Sequence, residues 1–401
     1  MSLLLLILGI VLIIGLIVFH EFGHFIAAKR NGVKVEAFGI FFPPKLYKRQ
    51  TRTGWEFSIG SIPLGGYVSL KGENEEDLGK GSLRTASLWV KTKIMAAGVF
   101  MNLVAAVVLF FILALIGMPK LIPNQYSVTS DTRVTTQKVI VGDIEGKSPA
   151  AKANLKDFDQ ITYLGPVSKT LTKISSTTEL QKTTHKYAGQ KVTIEYIRDG
   201  QNQSTTTKLL SSQEVNASIN LFNKQVKEGN NNPAQPKGYL GIEPTDYVIQ
   251  KSTWSAPITA VGLTIQATLL TFQGLGHAIG GLFSLIGGAL TGNSVARSNG
   301  QYNATAELTG PVGIYVIMKD FSQLGVQFII FIVAIISLSL AIFNFLPIPA
   351  LDGGRLWLTL FTSAIKKPLS VRREEIINVA GFIFIILLAI LITIVDVNRF
   401  H

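Results

Sequence analysis

His20 and His24 stand four residues apart, with Glu21 beside the first. On a helix, residues four apart share a face, so two neutral imidazoles there can grip one divalent ion while the carboxylate serves as a candidate base. The pattern His-Glu-x-x-His is rare by chance in a chain with 5 histidines among 401 residues. Its plain alternative is a helix end carrying two hydrogen-bonded polar side chains. A third ligand on the same side of a membrane would separate the two readings. The setting matters as much as the residues, because residues 3–19 are almost unbroken apolar sequence. Ionisable groups at bilayer depth are costly and face a protein interior or a water cavity, which makes them functional candidates.

Composition sets the frame for that helix. The chain is 47% apolar and 15% charged, with a mean hydropathy of +0.36. That is too apolar for a soluble protein of this size and too polar for an all-membrane bundle, so a few spanning helices plus one water-soluble domain are expected. With no cysteine in the chain, disulfides and thiolate metal sites are excluded, and a metal must use histidine and carboxylate. A net charge of +12 suits cationic loops beside anionic lipid. No basic recognition helix or aromatic–basic module accompanies it, so nucleic acid is not an expected partner. The first apolar run is not read as a cleaved signal peptide, since His-Glu follows it rather than a small-residue cleavage site.

A first span over residues 3–28 closes on Lys29-Arg30. Residues 29–92 hold 11 Lys/Arg against 6 acids, which reads as cytoplasmic and puts the N-terminus outside. Within them, residues 56–70 read as two short strands joined by a turn around Pro63, Gly65 and Gly66. Such an apolar hairpin could dip into the protein interior or stand on a small cytoplasmic subdomain. A second span covers residues 93–117. Asn102 on it could face the site, although a buried helix–helix hydrogen bond is the favoured role. Residues 118–253, rich in Thr, Ser, Lys, Gln and Asn, read as a soluble α+β domain on the outside. Its expected elements are a strand at 137–143, a capped short helix at 148–155 and a helix at 177–186. A hairpin over 191–210 turns at Asp199-Gly200, a strand follows at 238–242, and 223–237 reads as a loop or insertion.

Residues 254–290 are apolar enough to span but are interrupted by Gly274, Gly276, Gly280, Gly281, Gly287 and Gly288. Residues 328–345 are a clear span and 376–395 the last one. Parity then decides. If 328–345 alone spans between the outer domain and Asp352, Asp352 emerges on the side of His20 and His24; a span at 254–290 would send it to the opposite face. The loop 355–373 carries Arg355, Lys366, Lys367, Arg372 and Arg373, which places it inside. Residues 254–290 are therefore expected to lie on, or re-enter, the outer membrane surface.

The expected architecture is a polytopic α-helical membrane protein of four transmembrane helices with both termini outside. It adds a cytoplasmic membrane-associated β-hairpin and one extracytoplasmic α+β domain, and divides at 1–117, 118–253, 254–323 and 324–401. Asp352 becomes a third ligand. Three protein ligands leave a fourth position open, the arrangement of a catalytic rather than a structural zinc. Pro347 and Pro349 break the third helix near its inner end, which is tolerated at membrane depth only beside protein or a water cavity. Asn344, just before them, could hold substrate backbone.

Taken together, His20-Glu-Phe-Gly-His24, Ile62-Pro-Leu-Gly-Gly-Tyr-Val68 and Asn344-Phe-Leu-Pro-Ile-Pro-Ala-Leu-Asp-Gly-Gly354 resemble the site-2 protease family of intramembrane zinc metalloproteases. The likeness is greatest to the bacterial branch that cleaves membrane-bound anti-sigma factors, and Thr309-Gly-Pro-Val-Gly-Ile314 is similar to another block of the family. The resemblance covers nearly the whole chain in order. It implies Zn²⁺ held by His20, His24 and Asp352, with Glu21 as the catalytic acid/base. It also implies a hairpin at 55–70 to which substrate adds as an extended strand beside Gly65, Gly66 and Tyr67, with Asn344 and Pro347 as further substrate contacts. A helical peptide bond is shielded, so strand addition fits a substrate that is unwound before attack. The implied partners are the lipid bilayer and single-pass membrane proteins, such as anti-sigma factors or signal-peptide remnants. The implied location is a bacterial inner (cytoplasmic) membrane, with the active site near its cytoplasmic side.

The outer domain resembles a PDZ domain through Ser148-Pro-Ala-Ala-Lys-Ala-Asn-Leu155 and Asp159-Gln-Ile161. It departs at Asn154, where Gly is usual, and at Asp157-Phe158, where Pro-Gly is usual; Asn tolerates the left-handed conformation. A further departure is Ala97-Gly-Val-Phe-Met-Asn102, where relatives often have Pro after the Gly. Two other classes predict differently. An ion or metal transporter would spread polar residues along several helices, whereas here they cluster at one depth. A catalytically silent membrane scaffold would have lost Glu21 or a ligand, and all four residues are intact.

Overall fold

The computed structural model describes residues 2–73, 77–198, 200–227, 234–306, 310–367 and 369–400. Its helices are α1 (Ser2–Arg30), α2 (Leu88–Ile116), α3 (Pro149–Lys152), α4 (Thr177–Lys186), α5 (Ser212–Lys227) and α6 (Ala256–Thr291). They continue with α7 (Ser294–Ala306), α8 (Pro311–Phe321), α9 (Val326–Phe345), α10 (Asp352–Ala364) and α11 (Val371–Phe400). The strands are β1 (Val35–Gln50), β2 (Glu56–Leu70), β3 (Met118–Pro119), β4 (Arg133–Ile144) and β5 (Gln160–Pro166). After them come β6 (Thr172–Lys173), β7 (Lys191–Arg198), β8 (Gln201–Lys208) and β9 (Ile242–Lys251). Two compact units form, one from residues 1–115, 125–128 and 254–401, the other from 116–124 and 129–253.

In the first unit, α1, α2, α6, α9 and α11 are long and apolar enough to cross a membrane. Their ends follow local chemistry. Helix α1 stops where Gly32 takes φ 77°, and Val33 and Gly32 donate back to the carbonyls of Ala28 and Lys29, the glycine-capped closure expected of a helix C-terminus. Helix α9 stops at Phe345 because Pro347 disfavours helical backbone at the residue before it, and Leu346 is extended (φ −65°, ψ 153°). Leu16, Ile329 and Val333 pack α1 against α9, and Gly9 lets Met318 and Ile329 press on the α1 backbone. Near that end, the fully buried Asp396 accepts the backbone N–H groups of Gly310 (2.9 Å) and Gly313 (2.8 Å) at the start of α8. Toward the C-terminal end of α1, Ala28, Val33, Val35, Leu70, Leu83 and Ile94 form a second core.

The β region departs from the two-strand hairpin expected within 56–70. Residues 56–59 and 66–70 do not pair with each other; both flank residues 37–40, so that Phe38 lies opposite Val68 on one side and Phe57 on the other. The register runs Val35↔Leu70 to Ile40↔Gly66, and again Lys45↔Gly60 to Gln50↔Glu56. The missing partner was residues 35–50, whose lysines and arginine disguise a strand that is apolar in its first half. Among the described pairings, residues 66–70 have a backbone partner on one side only.

The glycines of 254–290 do not interrupt it: α6 is one continuous helix of 36 residues. They admit neighbours instead. Gly262 receives the Tyr126 ring, and Gly288 receives the backbone of Ala296 and Arg297 from α7. That helix turns back after Gly292 (φ 70°). Helices α7 and α8 follow α6.

The second unit is an α+β domain with strand order β3-β9-β4-β5-β7-β8 and β6 on β5. Val139 and Val141 of β4 and Val192 and Ile194 of β7, at alternate strand positions, make its core with Ile161 and Leu164 of β5 and Leu180 of α4. Ser148 caps α3 through Ala151 N, as its sequence suggests. Asn154 is left-handed (φ 56°), and Phe158 takes φ 67° where glycine is usual. The last strand begins at Ile242 rather than ending there, since Gly241 is left-handed (φ 72°). Residues 223–227, expected as loop, complete α5.

Candidate metal centre

His20 and His24 lie one turn apart on α1, both with 9% exposure, and their Nε2 atoms are 3.2 Å apart. Asp352 brings Oδ2 to 2.9 Å from His20 Nε2 and 3.0 Å from His24 Nε2. These are the one His/Asp/Glu group of metal-ligating geometry found among the described residues. Nitrogen and oxygen donors around a tetrahedral zinc, at bonds near 2.0–2.1 Å, sit roughly 3.3 Å apart. The observed triangle therefore needs to open by only a few tenths of an ångström. Burial raises the pKa of Asp352, but the imidazoles of His24 and His20 facing it lower it more, and the carboxyl is held below the ordinary carboxylate range.

Backbone contacts deliver Asp352. It is the first residue of α10, where a helix N-terminus favours a carboxylate. Gly353 abuts the carbonyls of Phe345 and Leu346, and Gly354 abuts that of Ile348; a Cβ on either would lie within 2.2–2.3 Å of carbonyl oxygen. The Asp-Gly-Gly sequence thus folds α10 tightly back onto the proline-broken end of α9. Trp357 adds a hydrogen bond from Nε1 to the Phe345 carbonyl at 2.9 Å.

Helix α2 positions the imidazoles. His24 Nδ1 donates to the carbonyl of Ile94 at 2.7 Å. The Asn102 side-chain amide lies 3.1 Å from His20 Nδ1, with the residue 1% exposed, and its Oδ1 has no described partner. Between them, Gly98 faces both rings so closely that a Cβ would come 2.4 Å from His24 Nε2 and 2.5 Å from His20 Nε2. Residues 94, 98 and 102 recur every four positions and so form one face. That spacing was the available signal; the buried helix–helix hydrogen bond expected of Asn102 is its contact with His20, so the residue also faces the site.

Glu21 lines a cavity of about 590 Å³ together with His24, Asp352, Gly66, Tyr67 and Arg355. The strand backbone at Gly66 lies against Glu21, leaving 3.1 Å between its would-be Cβ and Glu21 Cγ. Tyr67 lies across Gly39 and exchanges a hydrogen bond with Ser58 at 2.9 Å. Arg355, just past Asp352, forms an ion pair with Glu73, which follows β2. Neither was singled out in sequence as part of the site. Three of the expected substrate contacts fall elsewhere. Gly65 packs on the Phe42 ring, Asn344 is half-buried in the last turn of α9 with no described hydrogen bond, and Pro347 is exposed between α9 and α10.

The model of peptidase family M50 matches residues 8–388. The "Putative zinc metalloprotease Cj1068" of Campylobacter jejuni is 28% identical over 98% of this chain and 93% of its own length. A Clostridium perfringens protein of the same description, CPE1693, is 26% identical over 96% of this chain and 95% of its own. The "Probable protease eep" of Enterococcus faecalis is 25% identical over 97% and 98% respectively.

Proposed function

The chain belongs to peptidase family M50, and from that premise we propose that it is a zinc-dependent intramembrane endopeptidase acting on single-pass membrane proteins. The observation that carries this reading is the convergence of His20 Nε2, His24 Nε2 and Asp352 Oδ2 within hydrogen-bonding distance of one another. These three would hold the zinc. Bound there, zinc would lower the pKa of a water towards about 7 and polarise the scissile carbonyl.

Glu21 is the general base and acid in this reading. From the wall of the cavity it accepts the proton of the attacking water and passes it to the leaving amine. Residues 66–70 offer substrate a strand edge at that same wall, so an unwound segment can add to β2 with its backbone beside Glu21. Asn344 and Pro347, at the end of α9, are proposed to hold the substrate chain farther along.

Four spans with both termini outside are favoured. The start of α1 meets α8 and α9 at Gly9, and the end of α11 meets α8 at Asp396, which groups the chain ends. The metal ligands, α10 and the β region group together at the other end of α1. On this reading the centre lies near the cytoplasmic side of a bacterial inner membrane, with α6 and α7 on the outer side. The second unit is proposed to be PDZ-like, on the left-handed Asn154 and Phe158 turn after a capped α3. Anti-sigma factors and signal-peptide remnants are the proposed substrates.

The test is cleavage of a single-pass membrane substrate by the detergent-solubilised chain, with zinc counted in the same preparations. Wild type should carry about one zinc per chain and cut; Glu21→Gln should keep the zinc and lose the cutting. Cutting by Glu21→Gln, or wild type without zinc, overturns the reading.

A further inference from the structure

We propose that Asn102 is a positioning residue of the metal centre, whose side-chain carbonyl fixes His20 in the tautomer that points the Nε2 lone pair at the shared ligand cluster. This rests on the metal-centre reading above. A histidine that ligates through Nε2 must carry its proton on Nδ1 and needs an acceptor there. His24 has one in the Ile94 carbonyl, 2.7 Å from its Nδ1, and a backbone carbonyl can only accept. The partner of His20 Nδ1 is the amide of Asn102 at 3.1 Å, with Nδ2 toward the ring and Oδ1 without a partner among the described residues.

Amide oxygen and nitrogen exchange places by a half-turn of the side chain. With His20 Nδ1–H in place, an amide N–H facing it would set donor against donor. The half-turn sets Oδ1 against Nδ1–H and gives His20 what Ile94 gives His24. Asn102 is held for this task. The Ser337 hydroxyl donates to its backbone carbonyl at 2.7 Å, Ser337 is fully buried and Asn102 is 1% exposed. One face of α2 thus sets both imidazoles, through a main-chain carbonyl at one end and a side-chain carbonyl two turns on.

The test compares zinc affinity, by competition with a chelator, in the full-length wild type, Asn102→Leu and Asn102→Asp. Asn102→Leu keeps the branched outline and removes the acceptor, and should bind zinc roughly 10- to 100-fold more weakly. Asn102→Asp keeps an acceptor and should stay much closer to wild type. A second measurement reads the bond itself: in zinc-loaded, ¹⁵N-histidine-labelled protein the His20 Nδ1–H proton should be hydrogen-bonded in wild type and in Asn102→Asp, and should move upfield in Asn102→Leu. Wild-type affinity in Asn102→Leu, equal losses in both variants, or a His20 Nδ1–H signal that Asn102→Leu leaves unchanged would each overturn the role of Asn102. Failure of wild type itself to bind zinc would instead overturn the metal-centre reading.

Discussion

Replacing Gly98 by alanine separates the helix from the site it supports. In an ordinary helix interior the change stabilises by about 1 kcal/mol. Here the new Cβ would come 2.4 Å from His24 Nε2 and 2.5 Å from His20 Nε2 and Cε1, where ordinary contact begins at 3.4 Å. Each ring must retreat by close to 1 Å, while ligand positions around a metal tolerate about ±0.2 Å. His24 cannot retreat freely, because Ile94 holds its Nδ1. Overpacking costs about 1–3 kcal/mol, so the metal-free variant should melt near wild type, the helix gain offsetting part of the strain. Zinc affinity should fall at least about 100-fold, equivalent to some 2.7 kcal/mol, and cleavage with it. The assay pairs chelator competition with thermal melts followed by circular dichroism in detergent. A Gly98→Ala protein that binds zinc within a few-fold of wild type and cuts at its rate would refute the placement of α2 against the imidazoles.

Other perturbations test other parts. A strong chelator should abolish cleavage and added zinc restore it; activity that survives metal removal would argue against a metal role for the His20–His24–Asp352 cluster. Asp396→Ala strips the acceptor from two backbone N–H groups and should lower stability by about 2–3 kcal/mol, with Asp396→Asn losing less; equal melting of all three proteins would contradict this. In the second unit, Asp159 is 1% exposed and takes two hydrogen bonds from Arg198. Asp159→Ala should cost that unit about 3 kcal/mol by stranding the guanidinium, read as earlier proteolysis of residues 129–253, while bound zinc stays unchanged.

The candidate ligands were legible because their chemistry is local. His20 and His24 sit at helical spacing, and Asp352 follows a proline-broken helix with two glycines behind it. The soluble domain was equally legible where turn residues punctuate it: α4 runs over Thr177–Lys186 as read, and Gly200 closes the β7–β8 hairpin. What escaped depended on long-range pairing. The partner of residues 66–70 is residues 35–40, some thirty residues upstream, and nothing local marks the pairing. Glycine was misread in α6, where it signals close approach by Tyr126 and α7 rather than a break. Asn102 was visible as a polar residue in an apolar helix, but only the fold says which neighbour it meets.

The way the ligands are held sets which substitutions the site can survive. His24 leans on a main-chain carbonyl, and Asp352 is brought in by main-chain contacts at Gly353 and Gly354. Any residue supplies a carbonyl, so Ile94 can drift among side chains of similar volume without loosening His24. The glycines have no such latitude, since every other residue adds the carbon that the packing excludes. A saturation scan should therefore show a site guarded by Gly98, Gly353 and Gly354 almost as strictly as by the ligands, with permissive positions between them.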